Sequence, residues 1–244
     1  MQLISLFDKV FKKANLNLNL HPYEILITSS RSGLIEYLQN SASVDQIKKK
    51  MTDSNKSLNL FYRQYFKDKF EIAQLNFVKS LAAYSLICYY LQIKDRHNGN
   101  IMIDIEGNLI HIDYGFILGI SPGNLNFESA PFKLTQEYID IMDGEDSEMF
   151  VLYKSLMVKG MIESKKHVES FVNLIEIMAK GSVMPCFENK NIKDIIYKFR
   201  QRFYVDKKEE DFIRIVDDLV CSSKNNFWTR KYDYFQKLTN GIIP

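Results

Sequence analysis

Two short polar runs hold the residues best suited to chemistry. They are Asp95-Arg-His-Asn-Gly-Asn100 and His111-Ile-Asp113-Tyr-Gly115. Strand-like residues between the runs flank Glu106-Gly107, a dipeptide typical of a two-residue hairpin turn, which would place Asn100 opposite Asp113 at the open end of the hairpin. An amide oxygen beside a carboxylate suits Mg²⁺, a cation that keeps its other positions for water and substrate phosphates. The pattern therefore predicts phosphoryl transfer.

The spacing within these runs supports that prediction. Asp95 and Asn100 are separated by four residues, as in the D-x-x-x-x-N catalytic loop of kinases, and Asp113-Tyr-Gly occupies the place of D-F-G. Taken singly, Asp95 and Asn100 could equally cap and turn a loop, and Asp113 could be an ordinary surface carboxylate. The three residues in order and in register favour the kinase pattern over that alternative.

Two other kinds of active site have some support. Asp95, His97, His111 and Asp113 could form a metal-dependent phosphohydrolase site, although strand alternation favours a supporting role for His111 behind the site. The segment Gly119-Ile-Ser-Pro-Gly123 matches a nucleophile elbow. Its proline has no backbone N–H to give to an oxyanion hole, so the sequence excludes that chemistry.

The order Asp-Arg-His, where protein kinases have His-Arg-Asp, together with the run His111 to Phe116, resembles the phosphatidylinositol 3-/4-kinase family. The resemblance extends over roughly residues 1–243, and Gly33-Leu-Ile-Glu36 resembles the hinge of that family. Three further segments are similar to its type III beta 4-kinase branch: Asn126–Thr135, Met184–Phe187 and Phe235–Gly241.

The resemblance implies roles for nine residues. Asp95 and His97 would activate the inositol hydroxyl, with the division of the base function between them left open. Asn100 and Asp113 would hold Mg²⁺ or Mn²⁺. ATP would be bound by Glu36, Tyr37, Leu38, Met102 and Ile112, with the backbone C=O of Glu36 and N–H of Leu38 facing adenine. Met102 and Ile112 are equally compatible with ordinary hairpin core.

The segment that follows Asp113 corresponds, by the same resemblance, to an activation loop that faces the lipid headgroup. Residues 113–150 contain one base, Lys133, and eight acids. A headgroup that already carries extra phosphates would need cationic partners and would be repelled here. Unmodified phosphatidylinositol in a membrane surface is therefore the expected partner.

The function implied is transfer of the ATP γ-phosphoryl group to the inositol 4-hydroxyl, which gives phosphatidylinositol 4-phosphate. The alternatives are a catalytically impaired fragment or pseudokinase that acts as a lipid- or protein-interaction module, and the phosphohydrolase. The resemblance implies peripheral association with the cytosolic face of internal, Golgi-type membranes.

The expected fold is α+β and protein-kinase-like, with a truncated N-lobe over residues 1–39, including the hinge, and a mainly helical C-lobe over 40–244. Neither the Gly-rich pattern G-x-G-x-x-G nor a Val-Ala-Ile-Lys-like strand precedes the hinge. In kinases these two elements bind the ATP phosphates, so we expect a fragment or a short form that binds those phosphates less tightly. The chain has 244 residues and a net charge of +2, which gives no indication of a nucleic-acid partner. Its three scattered cysteines indicate a reducing compartment.

Overall fold

A computed structural model describes residues 1–29, 32–51, 57–124 and 129–244 of the chain. Within these ranges the fold is mainly helical, with two small antiparallel sheets. The helices are α1 (Gln2–Lys13), α2 (Val44–Lys50), α3 (Leu58–Phe66), α4 (Phe70–Leu91), α5 (Gln136–Ile141), α6 (Glu148–Lys166), α7 (Val168–Ala179), α8 (Ile192–Gln201), α9 (Asp211–Ser223) and α10 (Phe227–Asn240). The strands are β1 (Ile25–Ser29), β2 (Ser32–Ile35), β3 (Ser41–Ser43), β4 (Ile101–Asp104) and β5 (Leu109–His111).

Helix α4 is the central element of the core. Its 22 residues are apolar on nearly every face, and every residue from Phe77 to Leu91 except Lys79 is buried. The sequence predicts a buried helix over 71–92, and the structure confirms it. The helix ends at Gln92, which adopts the left-handed conformation (φ 50°) and turns the chain toward the first polar run.

Helix α1 packs into the same core. The ring of Phe7 lies 3.9 Å from that of Phe171 on α7 and 5.4 Å from that of Tyr90 on α4. The expected kinase-like α+β class is confirmed, with small sheets and a large helical part. The predicted division of the chain at residues 39 and 40 stays a prediction, and α1 on its N-terminal side shares the helical core.

The two sheets differ in burial. All described positions of β1 and β2 are exposed, whereas β3, β4 and β5 form a sheet in the order β3-β4-β5 whose inner residues are buried. The β4–β5 hairpin rests on α3 and α4: the hydroxyl of Tyr62 on α3 donates to the Gly107 carbonyl (3.0 Å), and the Leu109 N–H donates to the hydroxyl of Ser80 on α4 (2.9 Å). This contact places the open end of the hairpin beside the end of α4.

The hairpin register differs by one residue from the expected one. Ile101 pairs with His111, and Ile103 pairs with Leu109, so the turn contains three residues rather than Glu106-Gly107 alone. The side chain of Asp104 accepts from the N–H groups of Glu106 and Asn108 (2.9 Å each), and Gly107 takes φ +86°. An aspartate-capped three-residue turn with a left-handed glycine is a standard alternative to the two-residue turn.

This difference in register changes the cross-strand partner of Asn100. The Ile112 N–H donates to the Asn100 carbonyl (3.0 Å), so Asn100 lies opposite Ile112, and Asp113 follows one residue later. The expectation that Asn100 and Asp113 face each other across the hairpin was wrong in register. Asp113 reaches the same end of the hairpin, but in the left-handed conformation (φ 57°), which interrupts the strand alternation.

Replacement of Gly107 tests how firmly α4 holds the turn. A Cβ at Gly107 would lie 2.7 Å from the Ala73 Cβ and 2.8 Å from its Cα, at a left-handed φ. Gly144 is a matched control, because it has φ +97° and nothing within 4 Å of its added Cβ. We expect Gly144→Ala to lower the free energy of unfolding by about 1 kcal/mol, which is the conformational cost alone.

Gly107→Ala should add an overpacking penalty of roughly 1–3 kcal/mol to that cost. Urea denaturation of both variants measures the difference. Equal losses of stability at the two positions would show that the hairpin does not press on α4 as described.

Candidate functional site

Arg96 joins the two polar runs. Its side chain is 3% exposed, and its guanidinium donates to the carbonyls of Lys94 (3.0 Å), Ile112 (2.8 Å) and Asp113. The guanidinium also lies over the ring of Tyr114, at 5.8 Å from its centroid. Because Arg96 belongs to the first run and binds two carbonyls of the second, it fixes the two segments against each other. The sequence reasoning gave it no role.

Asp95 and His97 are brought together as predicted. The His97 Nε2 lies 3.6 Å from the Asp95 Oδ1, and Asp95 has a left-handed backbone (φ 66°) that turns its side chain toward the histidine. The Gly99 N–H donates to the His97 Nδ1 (3.1 Å), which assigns the proton of the neutral ring to Nε2.

Burial lowers the pKa of His97, and the neighbouring Asp95 carboxylate opposes this effect without overcoming it. A neutral His97 whose Nδ1 is already an acceptor has no second lone pair with which to take a proton. The geometry therefore favours Asp95 as the proton acceptor of the pair, with His97 presenting an N–H toward it.

Asn100 and Asp113 supply the oxygens suited to a cation. The Asn100 amide nitrogen donates to the Asp95 carbonyl (3.0 Å) and to its Oδ2 (3.4 Å), which orients the amide and directs Oδ1 away from Asp95. Asp113 is exposed, and its Oδ1 accepts from the Gly115 N–H (3.1 Å). An amide oxygen and an exposed carboxylate at one end of a hairpin fit the ligand preference of Mg²⁺ or Mn²⁺.

A cavity of about 750 Å³ opens beside Asp113. All five residues predicted to bind ATP line it, namely Glu36, Tyr37, Leu38, Met102 and Ile112. Its walls are mainly apolar, as expected of a site for a flat aromatic ring. Sequence reasoning missed other lining residues, among them Tyr23, Ile117 and Met178, because they come from separate elements and carry no motif.

The hinge is held in place by its own hydrogen bonds. The Glu36 N–H donates to the Glu24 carbonyl, and the Glu24 N–H donates to the Glu36 carboxylate (2.9 and 2.8 Å). In the part of the chain that the structure describes, no protein hydrogen bond engages the Glu36 C=O or the Leu38 N–H. These are the two groups that the resemblance assigns to adenine.

His111 lies behind the site. It is 4% exposed, stacks on Tyr84 with ring centroids 4.8 Å apart, and places Nδ1 3.5 Å from the Cys88 Sγ. Burial lowers the pKa of His111 well below its usual value. The supporting role expected for this residue agrees with its position, and its ring is engaged by α4 rather than by Asp95 or Asp113.

Across the described residues, no group of three or more His, Cys, Asp and Glu is arranged to hold a metal ion.

Lys133, the single base counted after Asp113, is not available to a headgroup. It is 5% exposed, and its ammonium donates to the Asp233 carboxylate of α10 (2.6 Å) and to the Asn98 side-chain carbonyl (3.0 Å). This buried cluster connects Asn98, in the first polar run, to Lys133, in the segment that follows Asp113. Lys133 and Asp233 are far apart in the sequence, so no local sequence pattern indicates that they pair.

The acids of the same segment are also partly neutralised. Glu137 binds Lys48, Asp143 binds Arg63 and Glu145 binds Lys224, each with a shortest distance of 2.6 Å. The negative charge read from the sequence alone therefore overstates the charge that this segment presents. Glu128 and the other residues of 125–128 lie outside the described part of the chain.

Comparison with known proteins decides the family. A model described as "Phosphatidylinositol 3- and 4-kinase" matches residues 1–188. The chain belongs to the phosphatidylinositol 3- and 4-kinase family. It is 47% identical to "Phosphatidylinositol 4-kinase" of Dictyostelium discoideum, 45% identical to "Phosphatidylinositol 4-kinase beta 1" of Arabidopsis thaliana and 44% identical to "Phosphatidylinositol 4-kinase beta" of Danio rerio.

These alignments cover 99–100% of the chain but only 21%, 22% and 29% of the three relatives. The family predicted from Asp95–Asn100 and His111–Phe116 is thus confirmed over nearly the whole chain. Among the described residues, no helix combines the length and the apolar character that crossing a membrane requires.

The neutral state of His111 gives a pH-dependent stability. Folding keeps His111 deprotonated, so protons bind to the unfolded chain first as the pH falls below about 6.5, and the folded state is disfavoured there. Between pH 7.5 and 5.5 this residue should remove about 1.4 kcal/mol from the free energy of unfolding. His111→Phe preserves an aromatic ring against Tyr84 and should make the pH dependence shallower by that amount.

Denaturant titrations at several pH values measure this effect in the wild type and in the variant. The pKa of His97 is lowered in the same direction. Its contribution to the pH dependence is the same in both proteins and therefore cancels in the comparison. An unchanged pH slope in His111→Phe would contradict the burial of a neutral imidazole.

Proposed function

We propose that this chain is the catalytic part of a phosphatidylinositol 4-kinase, which transfers the γ-phosphoryl group of ATP to the inositol 4-hydroxyl of phosphatidylinositol. The observation that carries the proposal is the junction of the apolar cavity with the two polar runs. Asp113 both lines the cavity and follows the strand that pairs beside Asn100. A nucleotide bound in the cavity would direct its phosphates toward Asn100 and Asp95.

Each step is assigned to residues of this chain. The Glu36 C=O and Leu38 N–H bind the adenine edge, and Met102 and Ile112 contact its face. Asn100 and Asp113 would hold Mg²⁺ or Mn²⁺, which would neutralise charge on the phosphates. Asp95 accepts the proton of the attacking hydroxyl, and the His97 Nε2–H, 3.6 Å from the carboxylate, stabilises the local negative charge.

The names of the relatives support the choice of the 4-hydroxyl and of phosphatidylinositol as the acceptor. Burial of Lys133 supports an acceptor without extra phosphates, because this base of the 113–150 segment is held by Asp233. A lipid substrate requires contact with a membrane surface. We place this contact at the cytosolic face of internal, Golgi-type membranes, on the basis of the family resemblance.

The assembled site disfavours the two alternatives. A pseudokinase has no need to keep Asp95, Asn100 and Asp113 together at the open end of the hairpin. A phosphohydrolase of the expected kind would require His111, which packs on Tyr84 instead.

Phosphoryl transfer can be measured with radiolabelled ATP and Mg²⁺ on vesicles that contain phosphatidylinositol or phosphatidylinositol 4-phosphate. The assay should use both this chain and the chain extended by the coding sequence upstream in its gene. We expect label in phosphatidylinositol 4-phosphate and little further phosphorylation of vesicles that already contain it. If neither folded protein labels phosphatidylinositol, the proposed function is wrong.

Asp113→Asn isolates the carboxylate charge. Asparagine tolerates the left-handed backbone at this position (φ 57°), so the loop should keep its shape while the cation loses its charged ligand. We expect kcat to fall about 100-fold or more.

Asp143→Asn is the matched control, because Asp143 is another exposed aspartate with a left-handed backbone (φ 63°). It should retain nearly full activity. Full activity of Asp113→Asn would exclude the metal assignment, whatever the control shows.

A further inference from the structure

Helix α10 presents one face to the catalytic residues. Tyr232, Gln236 and Asn240 recur at intervals of four, so they lie along that face. Tyr232 is 6% exposed, and its hydroxyl donates to the Asp95 Oδ1. A residue 137 positions away in the sequence therefore contacts the carboxylate that the proposed function uses as base.

The direction of this hydrogen bond is fixed by the rest of the face. The Asn240 amide nitrogen donates to the Gln236 Oε1 (2.6 Å), and the Gln236 Nε2 donates to the Tyr232 hydroxyl oxygen (2.7 Å). An amide nitrogen can only donate, so Tyr232 is an acceptor toward Gln236 and sends its own proton to Asp95. The three side chains form a donor chain that ends on the carboxylate, an arrangement in which successive hydrogen bonds strengthen one another.

The helix that carries this chain is anchored at two points that follow Tyr232 in the sequence. Next to it, Asp233 binds the buried Lys133 (2.6 Å). Beyond the helix, the Ile243 carbonyl accepts from the Asn98 amide nitrogen (2.9 Å), and the Ile243 N–H donates to the Asp45 carboxylate (2.8 Å). Tyr232 is thus held at a fixed distance from residues 95–98 by contacts that do not involve Asp95.

We propose that Tyr232 is a positioning residue for phosphoryl transfer: it fixes one oxygen of the Asp95 carboxylate so that the other faces the hydroxyl that is to be activated. This inference rests on the proposed function. Asp95 has a left-handed backbone (φ 66°), and its second oxygen lies 3.4 Å from the Asn100 amide nitrogen. Tyr232 and Asn100 together hold both oxygens, and the base enters the reaction already oriented. Misplacement of a catalytic group by about 1 Å can cost 100-fold in rate.

Tyr232→Phe removes the hydroxyl and keeps the ring. Measured on the protein expressed with the coding sequence that surrounds this chain in its gene, on phosphatidylinositol vesicles, kcat should fall about 10-fold or more, as expected for a base that is present but less well oriented. The KM values for ATP and for the lipid should stay within about twofold, because Tyr232 is buried and does not line the cavity proposed for the nucleotide. Tyr234→Phe makes the same chemical change on the same helix at a position that is 55% exposed, and it should leave both kcat and KM unchanged.

A second variant separates positioning from a loss of folding. Gln236→Met removes the group that orients the Tyr232 proton but leaves Tyr232 in place, so it should lower kcat by less than Tyr232→Phe does. Added to Tyr232→Phe, it should lower kcat no further, because the hydrogen bond that it supports is already gone. Thermal denaturation of all variants reports whether they fold.

The outcomes distinguish this inference from the proposed function. If the wild type transfers phosphate and folded Tyr232→Phe keeps its full kcat, the positioning role is excluded and the proposed function stands. A rise in the KM for ATP with kcat unchanged would also exclude it. Additive losses for Tyr232→Phe and Gln236→Met would show that the two residues do not act through one hydrogen-bond chain. If the wild type transfers none, the proposed function fails and the role of Tyr232 fails with it.

Discussion

The buried guanidinium of Arg96 is the contact on which the site depends. It is nearly inaccessible to water, and its N–H groups are taken up by main-chain carbonyls on both sides of the hairpin opening. A charge in such a position is tolerated only when its donors are satisfied. The planar, five-donor fork of arginine can reach several carbonyls at once, which the point charge of lysine cannot do. The residue between the two catalytic candidates therefore builds the site without taking part in the chemistry.

The rest of the fold supplies rigid surroundings for that contact. Helix α4 ends in a left-handed residue shortly before the first polar run, and the hairpin that leads to the second run packs against α3 and α4. Helix α10 closes the opposite side through Asp233 and Tyr232. Elements distant in the sequence thus surround a loop of about six residues, and the loop itself needs no regular structure.

Sequence reasoning could predict what local patterns encode. The burial of α4 and the two strands of the hairpin follow from periodicity and turn residues, and Asp95, Asn100 and Asp113 follow from motif spacing. The roles of His97 and of the five residues expected to bind ATP follow only from the family resemblance and stay predictions. The hairpin register could not be predicted in the same way, because Glu106-Gly107 fits both a two-residue turn and the end of a three-residue turn. The choice between them is made by the Asp104 side chain and by the close approach of Gly107 to Ala73, and the latter is a tertiary contact.

The partners of Asp95 and Lys133 escaped prediction for a related reason. Tyr232 and Asp233 are adjacent residues on a helix whose sequence shows only an ordinary amphipathic pattern. Their importance arises from which turn of α10 meets the catalytic loop. Charge counting along residues 113–150 likewise missed the partners of three acids and of the single base, because these partners lie on other elements.

These pairings leave a simple charge distribution at the proposed active site. His97 and His111 have lowered pKa values and are neutral near pH 7, Lys133 is neutralised by Asp233, and the Arg96 guanidinium faces carbonyl groups. In the described part of the chain, Asp95 and Asp113 supply negative charge near the end of the cavity, beside the positive charge of Arg96. A triphosphate entering there would be repelled by the two carboxylates. In the proposed function, a divalent cation bound by Asn100 and Asp113 would offset that repulsion and so favour nucleotide binding as well as transfer. Asp95, whose carboxylate is oriented by its neighbours, would then remain the negative group that receives the proton.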